Sequence, residues 1–264
     1  MKKIYFFMAG LPRSGNTLLS SILNQNPNLH VGPNSPVSYL TFQLKNVIPQ
    51  REEYLNFPRP DYLNNILKST IEDYYKNVNK SYVIDRSGIW GSINHIEIIK
   101  QYFNSNVKII CPVRNILEIL ASFITLANKN PNNFIDKRIS EPTNENRCEF
   151  LMKKGSMIDI CLESYYTSYL PGYENYFHFI EYNDLIFDTK NTLKKIYNFL
   201  EMPEFNHSLN NIQNYKINND TYNDSIYGMD LHNVRNKIEK ISASPYDIFS
   251  EEIIKKYSDK ENWK

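Results

Sequence analysis

Long apolar runs, patterned cysteines and a charge imbalance are all missing from this 264-residue chain. No stretch approaches the roughly 20 apolar residues that a helix needs to cross a bilayer, so the sequence offers no membrane span. Three cysteines, Cys111, Cys148 and Cys161, are odd in number and unpatterned. That argues against a disulfide framework or a zinc site and makes a reducing cytoplasm the expected compartment. Thirty Lys and Arg against 29 Asp and Glu leave a formal charge of +1, which excludes the broad basic face of a nucleic-acid or anionic-membrane binder. No internal repeat is apparent. Met1-Lys2-Lys3 before an apolar run faintly imitates a signal peptide, yet the run gives way within about ten residues to Arg13 and reads better as a first strand.

What is present begins with that run. Ile4 to Met8 reads as a buried strand, and Leu18, Leu19, Ile22 and Leu23 fall at helical spacing. Between them lies Gly10-Leu-Pro-Arg13-Ser14-Gly15-Asn16-Thr17. A strand, a Gly-containing turn and a helix start aim backbone N–H groups at one point, where the helix dipole favours an anion. The spacing fits a P-loop, but Asn16 stands where the lysine of ATP and GTP hydrolases belongs, and Arg13 is the only cation of the turn. A diphosphate or a phosphosulfate suits this loop better than a triphosphate. The alternative is a tight turn with no ligand.

Strand and helix signals alternate onward, which predicts an α/β chain with a central, mostly parallel sheet. Strands are expected at 3–9, 81–85, 107–112 and 177–181, with a short one at 29–31, and helices at 16–25, 61–76, 92–103, 115–127, 146–168 and 189–200. Residues 128–146 and 203–245 read as loops or lids over the open edge of the sheet. The length suits one domain spanning 1–264. Ligands of such sheets collect at the carboxyl ends of the strands, where Arg13 and Arg114 both fall.

The segment Pro12 to Leu19 resembles the 5′-phosphosulfate loop of sulfotransferases that use 3′-phosphoadenosine 5′-phosphosulfate (PAPS), closest to the bacterial and protein-tyrosine types. Two further blocks follow in the family's order. Val107–Val113 is an apolar strand leading to Arg114 and, eight residues on, Ser122, which resemble the pair that binds the 3′-phosphate. Phe179-Ile-Glu-Tyr182-Asn-Asp-Leu185 resembles the family's strand-end segment, with Tyr182 placed against the nucleotide base. The resemblance covers roughly residues 3–200. It implies a three-layer, P-loop NTPase-like sulfotransferase fold and a nucleotide held by Arg13, Ser14, Gly15, Asn16, Thr17, Arg114, Ser122 and Tyr182. Late basic residues, Arg235 and Lys237 with Lys240 before Ser242, are candidates to close on the 3′-phosphate. It further implies transfer of a sulfuryl group, without a metal, to a small-molecule or carbohydrate acceptor; a homodimer stays open.

Catalysis by positioning and charge stabilisation gives Arg13 to the leaving group. The resemblance, which places another cation near the sulfate at the end of the strand Tyr82-Val-Ile-Asp-Arg86, implies that role for Arg86. The base is harder to find. Cytosolic relatives have a histidine after the strand at 81–85, where Ser87 and Gly88 stand here, and the tyrosine-sulfating ones a glutamate where Val31–Val37 has no acid. Asp85 is left as the candidate base. Histidines 30, 95, 178, 207 and 232 show no paired spacing and read as surface or capping residues. Asn34, Ser35, Tyr39 and Trp90 are candidates for an acceptor pocket. Two other classes remain open: a P-loop kinase-like phosphotransferase, and a non-catalytic nucleotide-binding protein.

Overall fold

Successive residues of a strand face opposite sides of its sheet, and the first strand fills both sides with bulk. The computed structural model describes residues 2–104, 106–216, 221–239 and 244–258. In chain order the elements are β1 (Ile4–Met8), α1 (Asn16–Leu23), β2 (Leu29–Asn34), α2 (Val37–Val47), α3 (Glu52–Asn56), α4 (Pro60–Tyr74), β3 (Tyr82–Arg86), α5 (Ile93–Ile98), β4 (Ile109–Val113), α6 (Ile116–Lys129), α7 (Asn144–Met152), α8 (Met157–Ser168), β5 (Phe177–Glu181), α9 (Tyr182–Phe187), α10 (Thr189–Leu200), α11 (Pro245–Ile248) and α12 (Glu251–Tyr257).

The five strands form one sheet in the order β2-β3-β1-β4-β5, every neighbouring pair parallel. The expectation of a mostly parallel sheet is met by a wholly parallel one. Phe6 and Met8 of β1 pack with Ile84, Ile110 and Ile180 against α1 and α10. Tyr5 and Phe7 pack with Val83, Ile109 and Cys111 against Ile71, Trp90 and Ile96 on the other face. A third cluster joins α6, α7, α8 and α12 beside the sheet. Strands buried on both faces explain why the runs at 4–8 and 109–113 read as continuous apolar stretches.

Differences from the sequence reading are local. β2 runs three residues beyond 31, to Asn34. The helix expected over 146–168 is two, because Gly155 takes a left-handed turn at φ 76° and the Ser156 hydroxyl accepts the Asp159 N–H to start α8. The stretch 92–103 divides into α5 and a wider π turn, Ile99–Phe103. Helices α2, α3, α9 and α11 were not anticipated. Within 203–216 and 221–239 the only regular element described is one helical turn, Asp224–Ile226.

Candidate functional site

The topology brings all five strand ends to one cavity of about 780 Å³. β2 ends at Asn34, β3 at Arg86, β1 leads to Arg13, β4 to Arg114 and β5 to Tyr182, and each of these residues lines it. The order reverses at β1, which lies between β3 and β4, so the loop after β1 occupies the switch point of the sheet.

That loop is built to receive an anion. Arg13 and Gly15 are both left-handed, at φ 60° and 85°. An arginine held so costs roughly 1–3 kcal/mol, which the surrounding contacts must offset. Gly15 caps α1 without a side-chain hydrogen bond, and no acid stands in the first turn. The first N–H groups of the helix are thus left for an external acceptor. Asn16, in the place of a P-loop lysine, braces the loop: its Nδ2 donates to the Leu11 carbonyl at 2.5 Å. A Cβ on Gly10 would fall 2.1 Å from Asn16 Oδ1, so this brace requires glycine. Thr17 lines the cavity. Ser14 is fully buried, and its hydroxyl has no partner among the described residues.

Arg114 and Ser122 lie two turns apart on the entry and body of α6, and Arg13 joins them. Arg13 Nε donates to Ser122 Oγ at 3.1 Å, and Arg114 Nη1 donates to the Arg13 carbonyl at 3.0 Å. Arg114 Nε donates to Glu118 at 2.9 Å, and the guanidinium lies 4.1 Å from the Tyr182 ring centre. Its Nη2 is buried without a partner among the described residues. Tyr182 opens α9 rather than ending β5 and lies against Gly15, where an added Cβ would come within 3.2 Å of the ring.

Asp85 and Arg86 part company because adjacent strand residues face opposite ways. Arg86 turns into the cavity, only 4% exposed, with a long 3.4 Å contact to the Gly32 carbonyl. Asp85 turns to the other face and is fully buried. It accepts from Ser35 at 2.5 Å, Tyr75 at 2.7 Å and Trp90 Nε1 at 2.6 Å. Burial pushes its carboxyl up, and the three donors oppose that shift. Among the described residues no ion pair joins Asp85 to Arg86, or any carboxylate to Arg13 or Arg86. Asp85 therefore has no access to the cavity, and its assignment as a base is corrected to that of a buried acceptor. Trp90 and Ser35 are absorbed in holding it, and Tyr39 is 62% exposed on the surface; of the residues read as an acceptor pocket, Asn34 alone lines the cavity.

The segment 221–239 closes one side. The Leu231 carbonyl accepts from Arg13 Nη1, Tyr222 OH accepts from the Asn34 N–H at 2.9 Å, and the Tyr227 carbonyl accepts from the Phe134 N–H at 2.8 Å. Arg235 and Lys237 both line the cavity, Arg235 also pairing with Glu239 at 2.8 Å; Lys240 and Ser242 lie outside the described residues. His232 lines it too. So does an apolar wall from α6 and α8: Phe123, Leu126, Met157 and Ile160. Neither feature was read from sequence. The wall had a signal in the apolar spacing of α6. His232 had none, since its partner Asp224 lies eight residues away in a stretch without periodicity. Among the described residues no group of three or more His, Cys, Asp or Glu is placed to hold a metal ion, and no helix is long and apolar enough to cross a membrane.

The family model of the sulfotransferase domain matches residues 3–259. Solved structures with a similar fold include the sulfotransferase domain from the curacin biosynthetic pathway, 16% identical, covering 78% of this chain and 76% of that one, with a TM-score of 0.50. A sulfotransferase from Alicyclobacillus acidocaldarius is 14% identical, covering 77% of this chain and 83% of its own, with a TM-score of 0.51. Mouse sulfotransferase SULT7A1, solved with PAP, is 19% identical over 77% of this chain and 59% of its own, at a TM-score of 0.46. No curated protein matches the sequence at a significant level.

Proposed function

Because the chain belongs to the sulfotransferase domain family, we propose that it transfers a sulfuryl group from PAPS to a hydroxyl acceptor, releasing 3′-phosphoadenosine 5′-phosphate (PAP). One observation carries this reading. Four arginines line the cavity; Arg114 and Arg235 have carboxylate partners among the described residues and Arg13 and Arg86 have none, while Arg114 Nη2 and Ser14 Oγ are buried with no acceptor or donor opposite. Buried cations and donors without partners are costly unless an anion completes them. A ligand with phosphate groups at two ends fits donors placed at both the β1 loop and the start of α6.

In this reading Ser14, Gly15, Asn16, Thr17 and the N-terminus of α1 cradle the 5′-phosphosulfate, with Asn16 serving as brace rather than charge. Arg114 and Ser122 take the 3′-phosphate, helped by Arg235 and Lys237. Tyr182 holds the Arg114 guanidinium against its ring, a contact of about 0.5–2 kcal/mol, and borders the nucleotide. The donor substrate supplies an activated sulfuryl group. Arg13 and Arg86 stabilise the charge that develops on the leaving phosphate and on the moving sulfuryl oxygens. The apolar wall of Phe123, Leu126, Met157 and Ile160 favours an acceptor alcohol with an apolar body.

The test is PAP release from PAPS in a chelator-containing buffer, with primary alkanols as acceptors. The account expects alkanol-dependent release without added metal. Turnover that instead needs Mg²⁺ and ATP would favour the kinase-like reading.

A further inference from the structure

Transfer to a neutral hydroxyl requires a group that takes its proton, and the displacement of Asp85 leaves that role open. Segment 221–239 supplies a candidate. His232 lines the cavity together with Arg13 and Arg86. Its Nδ1 lies 2.6 Å from Asp224 Oδ1, while Asp224 Oδ2 accepts the backbone N–H of Leu231 at 2.8 Å and of His232 itself at 2.9 Å. One carboxylate therefore fixes both the ring and the backbone that carries it. The imidazole also stacks on Tyr222, with ring centres 3.9 Å apart and planes 6° from parallel, and Tyr222 is tied to the end of β2 through Asn34.

A carboxylate only accepts, so the proton of the neutral ring sits on Nδ1 and Nε2 keeps its lone pair. Nε2 has no hydrogen-bond partner among the described residues. The side chain is 15% exposed. Resting on the sulfotransferase reading above, we propose that His232 is the general base of the transfer and Asp224 its positioning residue. The acceptor O–H proton passes to Nε2 as the oxygen lone pair forms the new O–S bond. The S–O bond to the 5′-phosphate breaks, its electron pair staying on PAP, and the imidazolium afterwards returns its proton to water. The groups facing the ring suit this cycle. Burial and the charges of Arg86 and Arg13 favour the neutral ring, Asp224 stabilises the cation once formed, and Tyr222 and Tyr227 flank it.

The test compares wild type with His232→Gln and Asp224→Asn. PAP affinity, read by calorimetry, should change less than about threefold in His232→Gln. PAP release from PAPS with 1-hexanol should fall about 10²–10⁴-fold. With p-nitrophenol at a pH where it is already ionised, the same variant should recover most of the wild-type rate, because no proton has to be removed. Asp224→Asn should fall between the two. Independently of turnover, nitrogen NMR of the wild-type ring should show Nδ1 protonated and Nε2 bare. A wild-type rate with 1-hexanol equal to that of His232→Gln, an equal loss with both acceptors, or a protonated Nε2 would overturn the proposal with PAP binding intact. Failure of the wild type to bind PAP would instead overturn the donor assignment on which it rests.

Discussion

At β3 one position separates core from cavity. Asp85 faces Tyr75 and Trp90, whereas Arg86 faces the strand ends, and no local pattern in Tyr82-Val-Ile-Asp-Arg86 says which is which. That choice depends on which face of the sheet holds the site, a property of the assembled fold. The arginines at 13 and 114 were legible because each follows a short apolar strand and opens a helix, a purely local signature. Asp85→Ala leaves the buried donors of Tyr75 and Trp90 without an acceptor, each at about 1–3 kcal/mol, and frees the half-buried Ser35 hydroxyl. We expect a loss of about 3 kcal/mol or more in denaturant unfolding; an unchanged unfolding free energy would show that the carboxylate does not organise this corner. Gly10→Ala tests the brace of the loop. Its new methyl would meet Asn16 Oδ1 at 2.1 Å and the Pro112 ring at 2.7 Å. The backbone must move, and PAP affinity should drop at least tenfold by calorimetry.

Among the elements, helices with an apolar stripe were read correctly because one face is buried; α10, with Leu193, Ile196, Tyr197 and Leu200 inward, is the clearest. The division of 146–168 was missed although Gly155 and Ser156 mark it, because the apolar spacing resumes in phase across the break. The segment 221–239 was read only as a loop or lid carrying Arg235 and Lys237, and how it is held in place was not legible. It is held by side-chain to backbone bonds from Asp224 and Asn214 and by a left-handed Gly228 at φ 64°, none of which has a repeating sequence signal. A Cβ on Gly228 would come 2.4 Å from the Asn132 carbonyl oxygen. Gly228→Ala should therefore loosen this segment from the 128–146 region and weaken PAP binding by about tenfold. Global unfolding should move little, since the described part of the segment adds one helical turn and no strand to the fold. A large drop in melting temperature with unaltered affinity would contradict this division.

For the whole molecule, the alternation of strands and helices was enough to predict the class, and the parallel order follows from burying both faces of each strand. The same burial makes stability depend on pH. The rings of His30 and His95 are pushed down to about 4 by desolvation, with Lys80 adding to the effect at His30 and a Ser38 contact opposing it at His95. Between about 6.5 and 4 the unfolded chain binds these protons and the folded one does not, so stability falls as the pH drops through that window. His95→Gln should flatten that slope, by about 2–3 kcal/mol across the window, in unfolding titrations at stepped pH. The central claim is that the five strand ends assemble a site for a nucleotide with phosphates at both 3′ and 5′ ends. It is tested most directly by calorimetry of PAP against ATP with Mg²⁺, in wild type and Arg114→Ala. The account predicts metal-independent binding of PAP that the substitution weakens at least 10- to 100-fold; a preference for Mg²⁺-ATP, or indifference to Arg114, would contradict it.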